Sequence, residues 1–259
     1  MLNSVAAVLF DLDGTLIEHT RPVEDLCCEV FARFEEQLRP ISCQQFWDTF
    51  WPKSNDMWYM MTDGVLNGDV AHLYSFVNTL RALGAKVELG SQLLECWEEH
   101  IVAATRPSAD AHLVLDQLRA AGLRLGIVTN GYTRLQRRKA RRHGLDRAVD
   151  FLLVSEEAGA HKPEPAIFEL ALARAGVPAD QALFVGDTLE SDIMGARNAG
   201  LHAILFAPPS SWREPGAPAL ASPAVCTDIV SETGCIRHLG ELLSLLRPAQ
   251  ENRMASCLS

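Results

Sequence analysis

The 259-residue chain has no apolar run approaching the roughly 18 residues that a membrane span needs, so no membrane partner is expected. It also lacks a basic leader. In MLNSVAAVLFDLDG no Lys or Arg precedes the apolar stretch, which meets Asp11 almost at once, and this makes a poor signal peptide. Its seven cysteines (Cys27, Cys28, Cys43, Cys96, Cys226, Cys235 and Cys257) are odd in number and include no C-x-x-C pair. Neither a zinc site nor a disulfide framework is expected, and a reducing cytoplasm is the simplest setting. Positive charge is scarce as well: 23 Lys and Arg against 33 Asp and Glu leave a net charge of −10. Proteins that coat nucleic acid or an anionic membrane are rewarded for positive charge, so neither partner is expected. No internal repeat is visible.

What is present is an ordinary globular composition. A hydrophobic share of 48 % with 22 % charged residues excludes disordered and fibrous classes. The length suits one large domain carrying an insert. Short apolar runs recur at Val5 to Phe10, Leu123 to Val128, Phe151 to Val154, Ala182 to Val185 and Ala203 to Phe206. None alternates strictly with polar residues, so each is predicted to be a strand buried on both faces. Helical stretches lie between them: Ala109 to Ala121, Thr133 to His143, Pro165 to Ala175 and Ser191 to Ala199, each followed directly by a glycine that suits a helix stop. Strands alternating with helices in this way imply an α/β fold, a Rossmann-like parallel sheet covered on both faces.

From Ile17 to about Thr105 this rhythm breaks. The pattern there predicts amphipathic helices at about Pro22 to Leu38, Ser42 to Phe50, Asp69 to Leu83 and Glu88 to Ala104, and a turn-rich loop from Asn55 to Gly68. Four of the five tryptophans (Trp47, Trp51, Trp58 and Trp97) fall here and read as the small core of a helical insert. Residues 17–105 are therefore expected to form a helical cap, and residues 1–16 with 106–259 the α/β core. Five prolines between Ala207 and Pro223 suggest a surface loop, a last helix is predicted at about Ile236 to Leu246, and the tail from Pro248 is expected to be mobile.

The residues with chemistry to offer stand directly after the strands. Val5 to Phe10 runs into Asp11-Leu12-Asp13-Gly14-Thr15, Leu123 to Val128 into Thr129-Asn130-Gly131, and Ala182 to Val185 into Gly186-Asp187-Thr188, with Asp192 five residues beyond Asp187. Parallel sheets bind ligands at the carboxyl ends of their strands, so these residues should converge on one cleft. Asp11 and Asp187 make a hard oxygen pair suited to Mg²⁺. Thr129, Asn130 and turn N–H groups supply neutral donors for phosphate oxygens. Asp13 can give and take a proton, and a carboxylate attacking phosphorus would form an aspartyl-phosphate. Lys162, in the loop after Phe151 to Val154, is the cation expected to offset these carboxylates.

With four such motifs in order (Asp11-x-Asp13-Gly14-Thr15, Thr129-Asn130, Lys162-Pro163 and Gly186-Asp187-x4-Asp192), the sequence resembles the haloacid dehalogenase superfamily of hydrolases over about Val5 to Phe206. The insert stands where that family carries a C1-type helical cap. The resemblance implies Asp11 as nucleophile and metal ligand, and Asp13 as general acid/base with its carbonyl on the metal. It implies Thr129, Asn130 and the Leu12 and Asp13 turn around the phosphoryl group. Lys162 would stabilise nucleophile and phosphate, Asp187 would complete the Mg²⁺ site, and Asp192 would orient it or act through water. Dehalogenases and phosphonatases of the family lack a carboxylate at the position of Asp13, so the resemblance favours a phosphatase acting on a small phosphorylated metabolite. The long helical cap looks similar to that of N-acylneuraminate-9-phosphatases and nucleotidase-like members. A phosphomutase of the β-phosphoglucomutase kind on the same scaffold and a non-catalytic binding member stay open, and the oligomeric state is not indicated.

Four further residues are candidates for touching substrate: His19 and Arg21, where the chain enters the cap, and Trp58 and Tyr59 in the expected cap loop. The basic stretch from Arg134 to Arg142 places Arg134, Arg137, Arg138, Arg141 and Arg142 on one helical face, and is expected to be solvated rather than to dock nucleic acid.

Overall fold

The computed structural model describes residues 4–208 and 234–246. Among these, the strands are, in chain order, β1 (Ala7–Phe10), β2 (Ile17–His19), β3 (Thr105–Pro107), β4 (Arg124–Thr129), β5 (Phe151–Val154), β6 (Ala182–Gly186), β7 (His202–Phe206) and β8 (Cys235–Ile236). Six of them form one parallel sheet in the order β5-β4-β1-β6-β7-β8. All four residues of β1 are buried, and they alternate between two cores: Val8 and Phe10 face one apolar cluster, Leu9 the other. A strand buried on both faces belongs in the middle of a sheet, and β1 lies between β4 and β6. Phe10 stands level with Ile127 and Val185, so the residues just beyond these strands leave the sheet at a single edge.

Helices cover both faces. In chain order beyond the insert they are α6 (Ala111–Ala120), α7 (Thr133–Arg142), α8 (Leu145–Ala148), α9 (Ser155–Ala158), α10 (Pro165–Ala175), α11 (Gly195–Asn198) and α12 (Glu241–Leu246). Val114, Leu115 and Leu118 of α6 pack with Leu242 of α12 against the Val8 and Phe10 face. Ile167, Phe168 and Ala171 of α10 pack against the opposite face, with Leu9, Leu153 and Phe184. The fold is the expected α/β one, a parallel sheet of Rossmann type. One local expectation is corrected at the C-terminal end. The helix predicted from Ile236 begins only at Glu241, because Cys235 and Ile236 pair with Leu205 and Phe206 as an added edge strand. The expected proline-rich loop, beyond Pro208, and the tail from Pro248 lie outside the described residues.

The segment between β2 and β3 is helical: α1 (Val23–Arg33), α2 (Glu35–Leu38), α3 (Cys43–Thr62), α4 (Gly68–Ala82) and α5 (Gly90–Ala103). Of the loop expected from Asn55 to Gly68, the part up to Thr62 is instead the end of α3, which runs through Pro52, and only residues 63–67 form the turn. Phe46 and Phe50 before the proline and Met57 and Met61 after it are all buried. Burying such side chains contributes roughly 1.5–3 kcal/mol each, more in sum than the ~3 kcal/mol an internal proline costs a helix. The insert's core is built on Phe31, Phe46, Phe50, Phe76 and Trp97, whereas Trp51 is 46 % exposed and Trp47 only flanks the cluster. The tryptophans are therefore less central than their clustering implied.

Two more features were not legible. Where the chain passes from sheet to helices and back, β2 and β3 pair antiparallel, Ile17 with Pro107 and His19 with Thr105. The expectation that the cysteines form no disulfide is corrected at one pair. The turn between α2 and α3 brings Cys28 and Cys43 together as a disulfide with Cα atoms 5.7 Å apart, a meeting that no spacing motif announces. No helix among the described residues is long and apolar enough to cross a membrane.

Candidate active site

At the carboxyl edge of the sheet lies a pocket of about 210 Å³. Asp11 and Asp13 reach it from the turn after β1, Thr129 and Asn130 from the end of β4, Lys162 from the loop after α9, and Asp187 and Asp192 from the segment after β6. Thr188 and Ser191 complete the lining, and Leu12, fully buried, faces the apolar core instead. Seven residues separated by as many as 181 positions thus meet in one place, because the parallel strands end level.

The turns that deliver them are tight. The Leu12 carbonyl accepts from the N–H groups of Leu16 at 3.0 Å and Ile17 at 2.9 Å, which curls the chain directly after Asp11. Gly14 has φ +80°, and a Cβ there would lie 2.4 Å from Asp187 Oδ2, so only glycine allows the two acidic turns to approach. Asp192 arises from a π-helical stretch, Leu189–Met194, and its Oδ2 accepts from the Thr188 N–H at 2.9 Å.

On the floor of the pocket, Lys162 Nζ donates to Asp11 Oδ1 and Asp192 Oδ1, both at 2.6 Å. Its backbone is clamped by Asn130, whose Nδ2 donates to the Lys162 carbonyl and whose Oδ1 accepts from the Lys162 N–H, both at 2.9 Å. Asn130, expected beside the phosphoryl group, lines the pocket and also braces the lysine loop. Burial lowers the affinity of Lys162 for its proton, but Asp11 and Asp192 outweigh it and push the ammonium above its ordinary range. Burial also drives the Asp11 carboxyl well up. Lys162 pulls it back, while Asp192 and Asp187 add to the rise. Burial and Asp192 push Asp187 up to about 7. One ammonium does not neutralise three carboxylates. Oxygens of Asp11, Asp187 and Asp192 lie within 4.8 Å of one another, so a hard divalent cation fits both the donors and the surplus negative charge.

What stands behind Asp13 was not foreseen. The basic helix expected to lie in solvent turns one face inward: Gln136, Lys139 and Ala140 of α7 are buried. Lys139 Nζ donates to Asp13 Oδ1 at 2.8 Å, and Gln136 Nε2 donates to Asp13 Oδ2 and to Thr129 Oγ1, each at 2.7 Å. His19 Nε2 lies 3.4 Å from Asp13 Oδ1. Burial pushes the Asp13 carboxyl up, but Lys139 and His19 outweigh it and hold the group well below the usual carboxylate range. The signal that could have revealed this face is Ala140. As a small apolar residue in a charged run it marks the inward side, and Gln136 lies four residues before it and Lys139 beside it.

The outer face of α7 meets the helical segment. Glu98 of α5 accepts from Arg134 Nε at 2.8 Å and Arg138 Nη1 at 2.7 Å, and lies 3.4 Å from His72 Nδ1 of α4. Glu156 bridges two helix starts, accepting from the N–H groups of Gly68 at 2.8 Å and Thr133 at 2.6 Å. Of the four residues expected at substrate, His19 sits against Asp13, Arg21 pairs with Glu29, Trp58 packs edge-on to Tyr132 at 5.7 Å, and Tyr59 is 64 % exposed on α3. None of the four lines the pocket.

The haloacid dehalogenase-like hydrolase profile matches residues 5–200. Glyceraldehyde 3-phosphate phosphatase of Methanopyrus kandleri is 31 % identical over 200 residues, 76 % of this chain and 82 % of that protein. N-acylneuraminate-9-phosphatase of Homo sapiens is 27 % identical over 210 residues, 79 % of this chain and 83 % of that protein. Among solved structures, the HAD-hydrolase YfnB from Bacillus subtilis, bound to magnesium, superposes with a TM-score of 0.63 at 25 % identity, over 94 % of this chain and 99 % of that one. Since the matched span runs from just before β1 to just short of β7 and takes in every carboxylate of the pocket, this chain belongs to the haloacid dehalogenase-like hydrolases.

Proposed function

We propose that this chain is a Mg²⁺-dependent phosphatase that hydrolyses a small phosphorylated metabolite, a phosphomonoester, through an aspartyl-phosphate on Asp11. The observation that carries this reading is the pairing of Asp11 with the Lys162 ammonium at 2.6 Å in a pocket that also presents a second carboxylate, Asp13, to the same space. The phosphatase names of two relatives aligned over more than three quarters of the chain support it.

In the first half of the reaction an Asp11 oxygen forms a bond to phosphorus and the bond from phosphorus to the ester oxygen breaks. The negative charge of the arriving phosphate raises the proton affinity of Asp13 that Lys139 and His19 otherwise depress, so that Asp13 takes up a proton from solvent and delivers it to the departing oxygen. In the second half Asp13, now the anion, takes a proton from water, whose oxygen attacks the phosphoryl group and frees Asp11. Lys162 balances the charge on the phosphoryl oxygens, and Asp192 and Asn130 keep its ammonium and backbone in place. Thr129 borders the space for those oxygens. Asp11, Asp187 and Asp192, with the Asp13 carbonyl, are the groups that would hold Mg²⁺, which when bound supplies charge neutralisation. Residues 17–105 serve as a cap over the core of 1–16 and 106–259, closing on the substrate and excluding water.

The test is release of inorganic phosphate from a panel of phosphomonoesters in the presence of Mg²⁺. Release that stops in excess EDTA is expected. An isomerised sugar phosphate without net release would make the chain a mutase, and no turnover of any ester would leave a binding protein.

A further inference from the structure

Of the six cationic side chains on α7, Lys139 is the one turned into the protein, with 5 % of its surface exposed. Burying an ammonium is costly, and a buried ion pair contributes little net stability compared with an apolar pair of the same size. Lys139 does not line the pocket, so it has no direct access to a ligand there. Its Nζ lies 2.8 Å from Asp13 Oδ1. We propose that Lys139 is a positioning residue for Asp13: its ammonium fixes the direction in which the carboxylate faces the leaving-group oxygen, and Gln136 locks the other carboxylate oxygen to Thr129.

The geometry supports placement over mere charge balance. Both Asp13 oxygens are taken, Oδ1 by Lys139 and Oδ2 by Gln136, which leaves the side chain no free rotation. Gln136 Nε2 also reaches the Asn130 carbonyl at 3.1 Å, so the turns after β1 and β4 are held at a set spacing. The helix carrying both residues is pinned on its far side by Glu98 and at its start by Glu156.

The inference rests on the phosphatase reading, and its test separates the two. The ratio kcat/KM reports events up to departure of the leaving group. It is measured for 4-nitrophenyl phosphate, whose leaving group needs little protonation, and for the alkyl phosphate that the wild type turns over fastest. Lys139→Met is expected to lower the alkyl value about 100-fold, the scale of a misplaced catalytic group, and the aryl value far less. Gln136→Met should give the same pattern more weakly, and Lys139→Arg should restore part of the alkyl activity. A merely structural role predicts equal losses on both esters, because only the amount of folded enzyme changes. Equal losses, or no loss in either variant, would overturn the proposal. If Lys139→Met fails to fold, the selectivity of Gln136→Met decides alone. Wild-type protein that releases phosphate from neither ester removes the phosphatase reading, and the proposal with it.

Discussion

Two buried lysines serve the carboxylates of one pocket by different means: Lys162 lines it, and Lys139 stands behind Asp13. Lys162 comes from a loop, has its backbone held by Asn130, and grips Asp11 and Asp192 on the floor. Lys139 comes from the middle of a helix and grips Asp13 on the wall, and the outer face of that helix is held by Glu98 of the helical insert. The floor is thus tied to the sheet, and the wall is tied to the insert. A disturbance where the insert sits on α7 should reach Asp13 and leave Asp11 alone.

The largest effect should come from the floor. Asp11→Asn is expected to remove turnover of an aryl phosphate while circular dichroism stays native. Full activity in that variant would end the assignment of Asp11 as nucleophile and erase the distinction between floor and wall. Next comes stability. Lys162→Met leaves carboxylates without their ammonium, and denaturant unfolding of the metal-free protein should show a loss of about 3–5 kcal/mol. Lys139→Met should lose less, since Gln136 and His19 still contact Asp13 and that residue is partly open to the pocket. Equal losses would mean that the two sites are built alike.

Glu98→Gln sharpens the comparison from the insert side. Its expected mark on activity is a severalfold fall on alkyl phosphates with aryl phosphates nearly unchanged, a weak copy of the Lys139 pattern. Its mark on stability depends on pH. Burial raises the Glu98 carboxyl, but His72 and Arg134 outweigh it and bring it below its ordinary value of about 4.5. Because the folded-state value is the lower one, the stability this group contributes is complete above the unfolded value and is lost as the pH falls through the folded one. The gap in Tm between wild type and Glu98→Gln should therefore be full above the ordinary value of about 4.5 and close as the pH falls below it. A gap that stays constant would show that Glu98 is not bound as an anion. The smallest effect is expected at Arg137, on the same helix, whose partner Glu157 lies on the partly exposed outer side. Arg137→Ala should change stability by no more than about 0.5 kcal/mol and leave both esters unaffected.

Much of the floor was legible from the residues alone. Five apolar runs became strands at nearly the expected positions, and the acids, Thr129, Asn130 and Lys162 beyond them converge, because a strand buried on both faces leaves a readable pattern and fixes where its next residue emerges. The second half of α3 was not legible, since Pro52 is a local stop signal that only the burial of Met57 and Met61 overrides. The Cys28–Cys43 pair was hidden for a similar reason: spacing says nothing about two side chains that meet across a turn between helices.

The sequence by itself determined the parallel sheet, the carboxylates gathered at its carboxyl edge and the cation on its floor. Each of these comes from short-range order: a buried strand, a tight turn and a residue type. Only the tertiary structure decided that α7 is part of the site, that Asn130 braces a lysine, and that the insert touches the wall through Glu98. A run of six like cations has no local preference for which one turns inward. That choice is made when the helix docks and one ammonium finds the half-buried Asp13 carboxylate to offset the cost of leaving water.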